Sequence, residues 1–166
     1  MEEDIYPNQT TQKCIYSFYA LIYESNFSLA KKRSVMTAAL GYEKWGWRVV
    51  GITKEAVFRI AENNFKLPKG LQRDHHLRSR KKTYDEIFKG EKLTFEKWWE
   101  VVWKYDETIL MTAVEHSKKI MLTDDDVIKI DYSLGRFRSA VVGMDFSKRD
   151  GQFVRNIFES IQNDRT

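Results

Sequence analysis

The residues best suited to chemistry are three consecutive side chains near the middle of the sequence: Asp74, His75 and His76. Histidine titrates near neutral pH, so it is the usual general base in enzymes. A carboxylate and an imidazole together can also hold a hard divalent ion such as Mg²⁺ or Mn²⁺. Basic residues flank the cluster, and such residues position phosphate groups. The cluster therefore indicates hydrolysis of a phosphodiester, in which a base activates water and positive charge stabilises the transition state.

The third histidine of the chain, His116, lies in a segment that reads TILMTAVEHSK. Thr112 stands at the predicted start of a helix, and Glu115 directly precedes His116. An Asp-His pair followed later in the chain by this pattern resembles the motif of HNH (His-Me finger) endonucleases of the phage type. The resemblance covers roughly residues 70–119, which is less than a third of the chain.

The resemblance implies a role for each of these residues. His75 would be the general base, and Asp74 and His116 would bind a divalent metal ion, Mg²⁺ or Mn²⁺. In a second register of the motif, His75 would bind the metal and His76 would be the base, and the sequence leaves both registers open.

One position departs from the family pattern. Where the family has an asparagine, nine residues before the last ligand, this chain has Glu107. A carboxylate there could bind metal or orient the catalytic base, but it cannot donate a hydrogen bond as an amide does. Glu107 is therefore a third candidate catalytic residue beside the two adjacent histidines.

Positive charge is concentrated next to these histidines. The 166-residue chain has a formal net charge of +4, yet residues 66–82 alone contain seven lysines and arginines against one acid, Asp74. A surface that binds a polyanion needs such local charge. We therefore expect DNA, or RNA, as the partner, with its phosphates held by five bases: Arg73, Arg78, Arg80, Lys81 and Lys82.

Two other functions fit the same residues. A non-catalytic nucleic-acid-binding protein would use the same basic segment, and Glu107 in place of asparagine favours it. A phage-type protein-binding inhibitor module would instead turn its aromatic side chains toward a protein partner.

The composition predicts a folded cytoplasmic protein. Apolar residues make up 42% of the chain, and two prolines with eight glycines argue against a long disordered linker. No stretch approaches the roughly 18 consecutive apolar residues that span a membrane, and the first residues carry acids where a secretory signal carries positive charge. The single cysteine, Cys14, cannot form an internal disulfide, and we expect it in the core.

The pattern of apolar residues predicts an α+β fold. We expect an HNH-like ββα element within a mainly helical domain, followed by a C-terminal β-hairpin and helix. The expected segments are an N-terminal helical segment at residues 1–65, a nuclease core at 66–121 and the hairpin and helix at 122–166, packed as one unit.

Helix starts are signalled by three capping residues, Ser28, Thr53 and Thr94. The helix after Thr94 carries tryptophans on its apolar side, which we expect in the core, and it would be inserted between the hairpin and the helix of the ββα element. A last helix is expected from Gln152. Residues 15–23 should be buried, but this length does not separate helix from strand. Strands are predicted at 71–77, 127–132 and 137–144, and the apolar residues 108–112 could be a strand or the way into a helix.

Overall fold

The computed structural model describes residues 6–75, 77–118, 122–123, 125–137 and 145–164. The chain has an α+β fold, as predicted. In chain order the described elements are α1 (Gln9–Glu24), α2 (Leu29–Gly41), β1 (Val49–Thr53), α3 (Lys54–Glu62), β2 (Leu71–Asp74), α4 (Arg80–Lys89), α5 (Phe95–Tyr105), β3 (Thr108–Thr112), α6 (Ala113–Lys118), β4 (Val127–Lys129) and α7 (Lys148–Asn163).

The described strands form a small mixed sheet in the order β2-β3-β1-β4. The central strands β1 and β3 are parallel, with Ile52 paired to Leu110. β2 runs antiparallel to β3, with Arg73 paired to Leu110, and β4 runs antiparallel to β1. The three segments expected from the sequence thus all contribute strands to one sheet.

One hydrophobic core lies between the sheet and two helices, α3 and α7. Ile52 and Leu110 of the central strands are fully buried in it. α3 begins at Thr53, whose hydroxyl accepts a hydrogen bond from the Ala56 N–H (3.1 Å), as expected for a helix cap. The helices contribute Ala56, Val57, Ile60 and Val154 to this core.

The second core is aromatic and joins α1, α2, α4 and α5. Tyr19 and Trp98 are fully buried there, and their rings stack with centroids 5.4 Å apart. α5 begins at Thr94, whose hydroxyl accepts from the Lys97 N–H (3.4 Å), and buries Trp98 and Trp99. The expectation that these tryptophans pack in the core is confirmed.

Several predicted boundaries need correction. The strand predicted at 71–77 ends at Asp74, and the strand predicted at 127–132 ends at Lys129. Residues 15–23, for which helix and strand were both open, belong to α1. The last helix begins four residues before Gln152, because the side chains and backbone of Ser147 and Asp150 form a capping box that starts it. Of the predicted hairpin, β4 is the first strand, whereas its expected partner at 137–144 lies almost wholly outside the described residues.

Two further findings concern the surface. Cys14 is exposed on α1, so its expected place in the core was wrong. Among the helices of the described residues, none is both long enough and apolar enough to cross a membrane.

The buried phenol of Tyr19 predicts a loss of stability in alkaline solution. Its hydroxyl donates to the Ile87 carbonyl (2.9 Å) and accepts from the Leu93 N–H (3.3 Å), and burial raises its pKa from 10.0 to about 12. The folded state therefore holds the proton more tightly than the unfolded chain does. This stabilisation is complete below pH 10 and is lost as the pH rises to about 12.

Unfolding in urea, measured across this pH window, tests the expectation. Between pH 10 and about 12, the titration of Tyr19 should lower the free energy of unfolding by up to about 1.4 kcal/mol for each unit of pH increase. Tyr19→Phe should remove that part of the decrease, and an unchanged pH dependence in this variant would contradict the assignment.

Candidate metal and nucleic-acid site

Asp74 and His116, the two residues expected to bind metal, lie side by side in the folded chain. Asp74 ends β2, and His116 lies on α6, which packs against β2 and β3. The Asp74 Oδ1 and His116 Nε2 atoms are 3.5 Å apart, and the two side chains are 41% and 45% exposed. An oxygen and a nitrogen that metal ions prefer thus converge at a solvent-accessible place.

Glu115 fixes the start of α6 and so the direction of His116. Its Oε2 atom accepts from the Thr112 N–H (2.8 Å) and from the Thr112 hydroxyl (2.9 Å), while the Thr112 hydroxyl oxygen lies 3.2 Å from the Glu115 N–H, which completes a capping box. The Thr53 hydroxyl donates to the same oxygen (3.0 Å). The predicted helix start at Thr112 is confirmed, and Glu115 has a structural role that the sequence did not suggest.

The pair fits a divalent ion as a two-residue site. Carboxylate oxygen suits Mg²⁺ and Mn²⁺, and imidazole nitrogen suits later transition metals and tolerates Mn²⁺. Within the part of the chain that the structure describes, no group of three or more His, Cys, Asp or Glu side chains comes together. An ion held here would therefore take its remaining ligands from water or from a phosphate, as Mg²⁺ commonly does.

His75 lies on the other side of the strand end from Asp74. Its side chain is 12% exposed, and its Nε2 atom is 3.7 Å from Oδ1 of the buried Asp106. The second oxygen of Asp106 accepts the Trp47 N–H at 2.7 Å. The 3.7 Å between Asp106 and the His75 ring exceeds hydrogen-bond distance, so the carboxylate places negative charge near the imidazole without a hydrogen bond to Nε2. His76, the other candidate base, lies outside the described residues.

Arg73 and Arg80 lie on the same side as His75, around the ring of Trp47. The Arg73 and Arg80 guanidinium carbons are 5.3 Å and 4.8 Å from the centre of that ring, distances typical of cation–π contacts. Burial, with a smaller contribution from the charge of Arg80, lowers the pKa of Arg73 to about 10, against the opposing effect of Asp106. The two arginines therefore belong to a partly buried polar layer.

A small pocket opens beside this layer. His75, Arg80, Tyr84 and Asp106 are among its lining residues, and it has room for about one water molecule. Burial raises the pKa of Tyr84, which keeps its phenol neutral. The pocket is too small for a nucleotide, so a nucleic acid would have to bind outside it.

Glu107 is engaged elsewhere. Its Oε1 atom accepts from the buried Arg48 guanidinium at 2.7 Å, and that guanidinium also lies 3.9 Å from the centre of the Trp103 ring. The carboxylate beside His75 is instead its neighbour Asp106. In the sequence, Asp106 and Glu107 both lie between the helix and the strand. This position was the one signal for Asp106, and it did not show which of the two acids lies beside His75.

The predicted phosphate-binding bases divide into two groups. Arg78 is internal: it pairs with Glu86, donates to the Thr83 hydroxyl (3.3 Å) and lies 3.6 Å from the centre of the Tyr105 ring. Lys81 and Lys82 are exposed in the first turn of α4. Arg73 and Arg80 are also partly buried, in the polar layer. Of the five predicted bases, only Lys81 and Lys82 are therefore fully at the surface.

Comparisons with protein-family models, with curated proteins and with solved structures find no match for this chain. Any assignment of function therefore rests on the side chains and their geometry.

Proposed function

We propose that this protein is a metal-dependent endonuclease that hydrolyses phosphodiester bonds in DNA. The observation that carries the proposal is the pairing of Asp74 with His116. The two side chains are distant in the chain and were expected to share a metal ion from the HNH-like motif, and their ligand atoms lie 3.5 Å apart at the surface.

The order of the surrounding elements supports the same proposal. β2 and β3 are antiparallel, and α6, which follows β3 directly, packs against both. This is the order strand, strand, helix, with α4 and α5 inserted between the two strands and not, as expected, between hairpin and helix. An insertion of that kind accounts for the long spacing between His75 and His116.

In the proposed reaction, Asp74 and His116 would hold Mg²⁺ or Mn²⁺. A bound ion would supply positive charge that stabilises the negative charge developing in the transition state. Lys81 and Lys82 in the first turn of α4 contact neighbouring phosphates, since their exposed ammonium groups are close in sequence to the histidines.

His75 or His76 removes the proton from the attacking water. Because His75 lies on the other side of the strand end from Asp74, His76 is retained as the alternative base.

Incubation with supercoiled plasmid tests the proposal and identifies the base. Wild-type protein should nick the plasmid with Mg²⁺ or Mn²⁺ and not with EDTA. Alanine at whichever of His75 and His76 is the base should lower the nicking rate by about 100-fold or more. Gln72→Ala, an exposed change on the same strand, is the control and should cut like wild type. Absence of nicking with either metal would refute the nuclease.

The second candidate is a nucleic-acid-binding protein without activity, and the ion pair of Glu107 with Arg48 favours it. Glu107 stands at the family's asparagine position, and its carboxylate is engaged by this ion pair. Retention of DNA on a gel without cleavage would support this candidate, and absence of both retention and cleavage would leave the protein-binding inhibitor module.

A further inference from the structure

We infer that a second nucleic-acid contact surface lies at the start of α7. It consists of four exposed bases, Lys66, Lys69, Lys148 and Arg155, and is called the α7 basic surface below. The inference rests on the proposed function in one respect, namely that the polyanion in question is a nucleic acid.

The distribution of unpaired charge leads to this surface. Most of the arginines next to the histidines are occupied by internal contacts, as described for Arg73, Arg78 and Arg80. None of the four bases of the α7 basic surface forms an ion pair with another described residue. They are therefore available to a ligand, as Lys81 and Lys82 are, whereas Arg73, Arg78 and Arg80 are engaged internally.

Close packing brings the two parts of the surface together. Phe65 lies directly before Lys66, and its carbonyl oxygen is so near α7 that a Cβ atom at position 151 would lie 2.5 Å from it. Gly151 allows this approach. The Arg155 guanidinium carbon is 4.2 Å from the centre of the Phe65 ring. The loop that carries Lys66 is thus held against the first turns of α7.

Helical geometry assigns Lys148 to the same side. Lys148, Gly151 and Arg155 are spaced i, i+3 and i+7, so they share one face of α7. Arg149, by contrast, precedes Gly151 by two residues and lies about 200° around the helix from it. α7 therefore presents two of its bases toward the Phe65 loop and turns a third away.

Lys69 extends the surface toward the Asp74–His116 pair. It precedes Gly70, whose carbonyl accepts the Ala113 N–H (2.6 Å) at the start of α6. α6 carries His116. A polyanion that lies on the α7 basic surface would therefore continue along the loop to the helix of the proposed metal site.

Two of the acids near the surface are engaged in other contacts. Asp150 is buried and its oxygens accept hydrogen bonds from Ser147 and from the Phe137 N–H. Glu62 pairs with Arg59, and Glu159, one turn after Arg155, forms no ion pair with it. Exposed ammonium and guanidinium groups around one helix end match the spaced negative charges of a phosphate backbone.

Salt-dependent binding measured in EDTA tests the inference without cleavage. The probe is a fluorescent 20-base-pair DNA duplex, and the readout is fluorescence anisotropy between about 50 and 200 mM salt. Three glutamines replace the bases in K66Q/K148Q/R155Q. The matched control, K13Q/K97Q/R149Q, removes three exposed bases at other places and makes the same change in net charge.

For K66Q/K148Q/R155Q we expect Kd to rise about tenfold or more near 150 mM salt. The slope of log Kd against log salt should fall by about two to three, because each lost phosphate contact accounts for about 0.9. The control should stay within about threefold of wild type. Thermal unfolding of both variants shows whether the fold is retained.

Two outcomes would overturn the inference. An equal loss of affinity in both triple variants would assign the effect to net charge alone. Unchanged affinity in K66Q/K148Q/R155Q would show that these bases do not contact DNA. A wild-type protein that ignores DNA but binds phosphatidylserine vesicles would identify the partner as a membrane and also overturn it. If DNA binding is weakened only in K66Q/K148Q/R155Q while the wild-type protein cuts plasmid with neither metal, the α7 basic surface is supported and the proposed nuclease activity is refuted.

Discussion

Asp74→Ala and His116→Ala should each lower the rate of metal-dependent cleavage by more than 100-fold. A metal ion contributes several kcal/mol to the stabilisation of a phosphoryl-transfer transition state, and each 1.36 kcal/mol is a tenfold change in rate. Loss of either ligand from a two-residue site should remove most of that contribution. Plasmid nicking at saturating DNA measures the effect.

The fold should survive both substitutions, because the two side chains are 41% and 45% exposed and exposed changes usually alter stability by less than about 0.5 kcal/mol. Asp125→Ala removes another exposed carboxylate and is the control. Mn²⁺ binding followed by electron paramagnetic resonance gives a readout besides activity and should weaken in both ligand variants. Wild-type cleavage by either variant would refute the metal site.

Asp106→Ala should destabilise the fold by about 3–5 kcal/mol, the usual cost of removing one partner from a buried charged group. The Asp106 carboxylate is 5% exposed and accepts the Trp47 N–H at 2.7 Å. Its charge also opposes the fall in the pKa of Arg73. Without it, a buried N–H loses its acceptor and the guanidinium loses a compensating charge.

Urea unfolding followed by tryptophan fluorescence measures this loss. Asp106→Asn keeps the shape and one acceptor oxygen but removes the charge, so we expect an intermediate effect of about 1–3 kcal/mol. Glu100→Ala, an exposed acid on α5, should change stability by less than about 0.5 kcal/mol. A loss below 1 kcal/mol in Asp106→Ala would show that the polar layer is held by its other contacts.

Much of the secondary structure could be predicted, because its signals are local. Thr53, Thr94 and Thr112 each begin a helix through hydrogen bonds to backbone groups three residues away. Residues 108–112 form a strand, which is one of the two alternatives that their short apolar run left open. The boundaries that failed, at α7 and at the end of β2, depend on a capping box and on strand pairing that apolar periodicity does not report.

The candidate site was predictable only in part. The motif spacing led to Asp74 and His116, which do lie together. It also led to Glu107, although the acid next to His75 is Asp106. Adjacent residues at the entrance to a strand point in different directions, so choosing between them requires the orientation of the chain.

By itself the sequence determined the α+β class, the helix starts and the residue types that can bind a metal ion or phosphate. Only the tertiary structure decided which charged groups are free and which pair with one another. Arg48 meets Glu107 and Trp47 meets Asp106 across 59 residues of chain in each case, and the pairing of β1 with β3 sets both contacts. Electrostatic partners depend on distances in space. Within the basic segment 66–82, the three arginines are therefore engaged in internal contacts, whereas the lysines are exposed and available to a ligand.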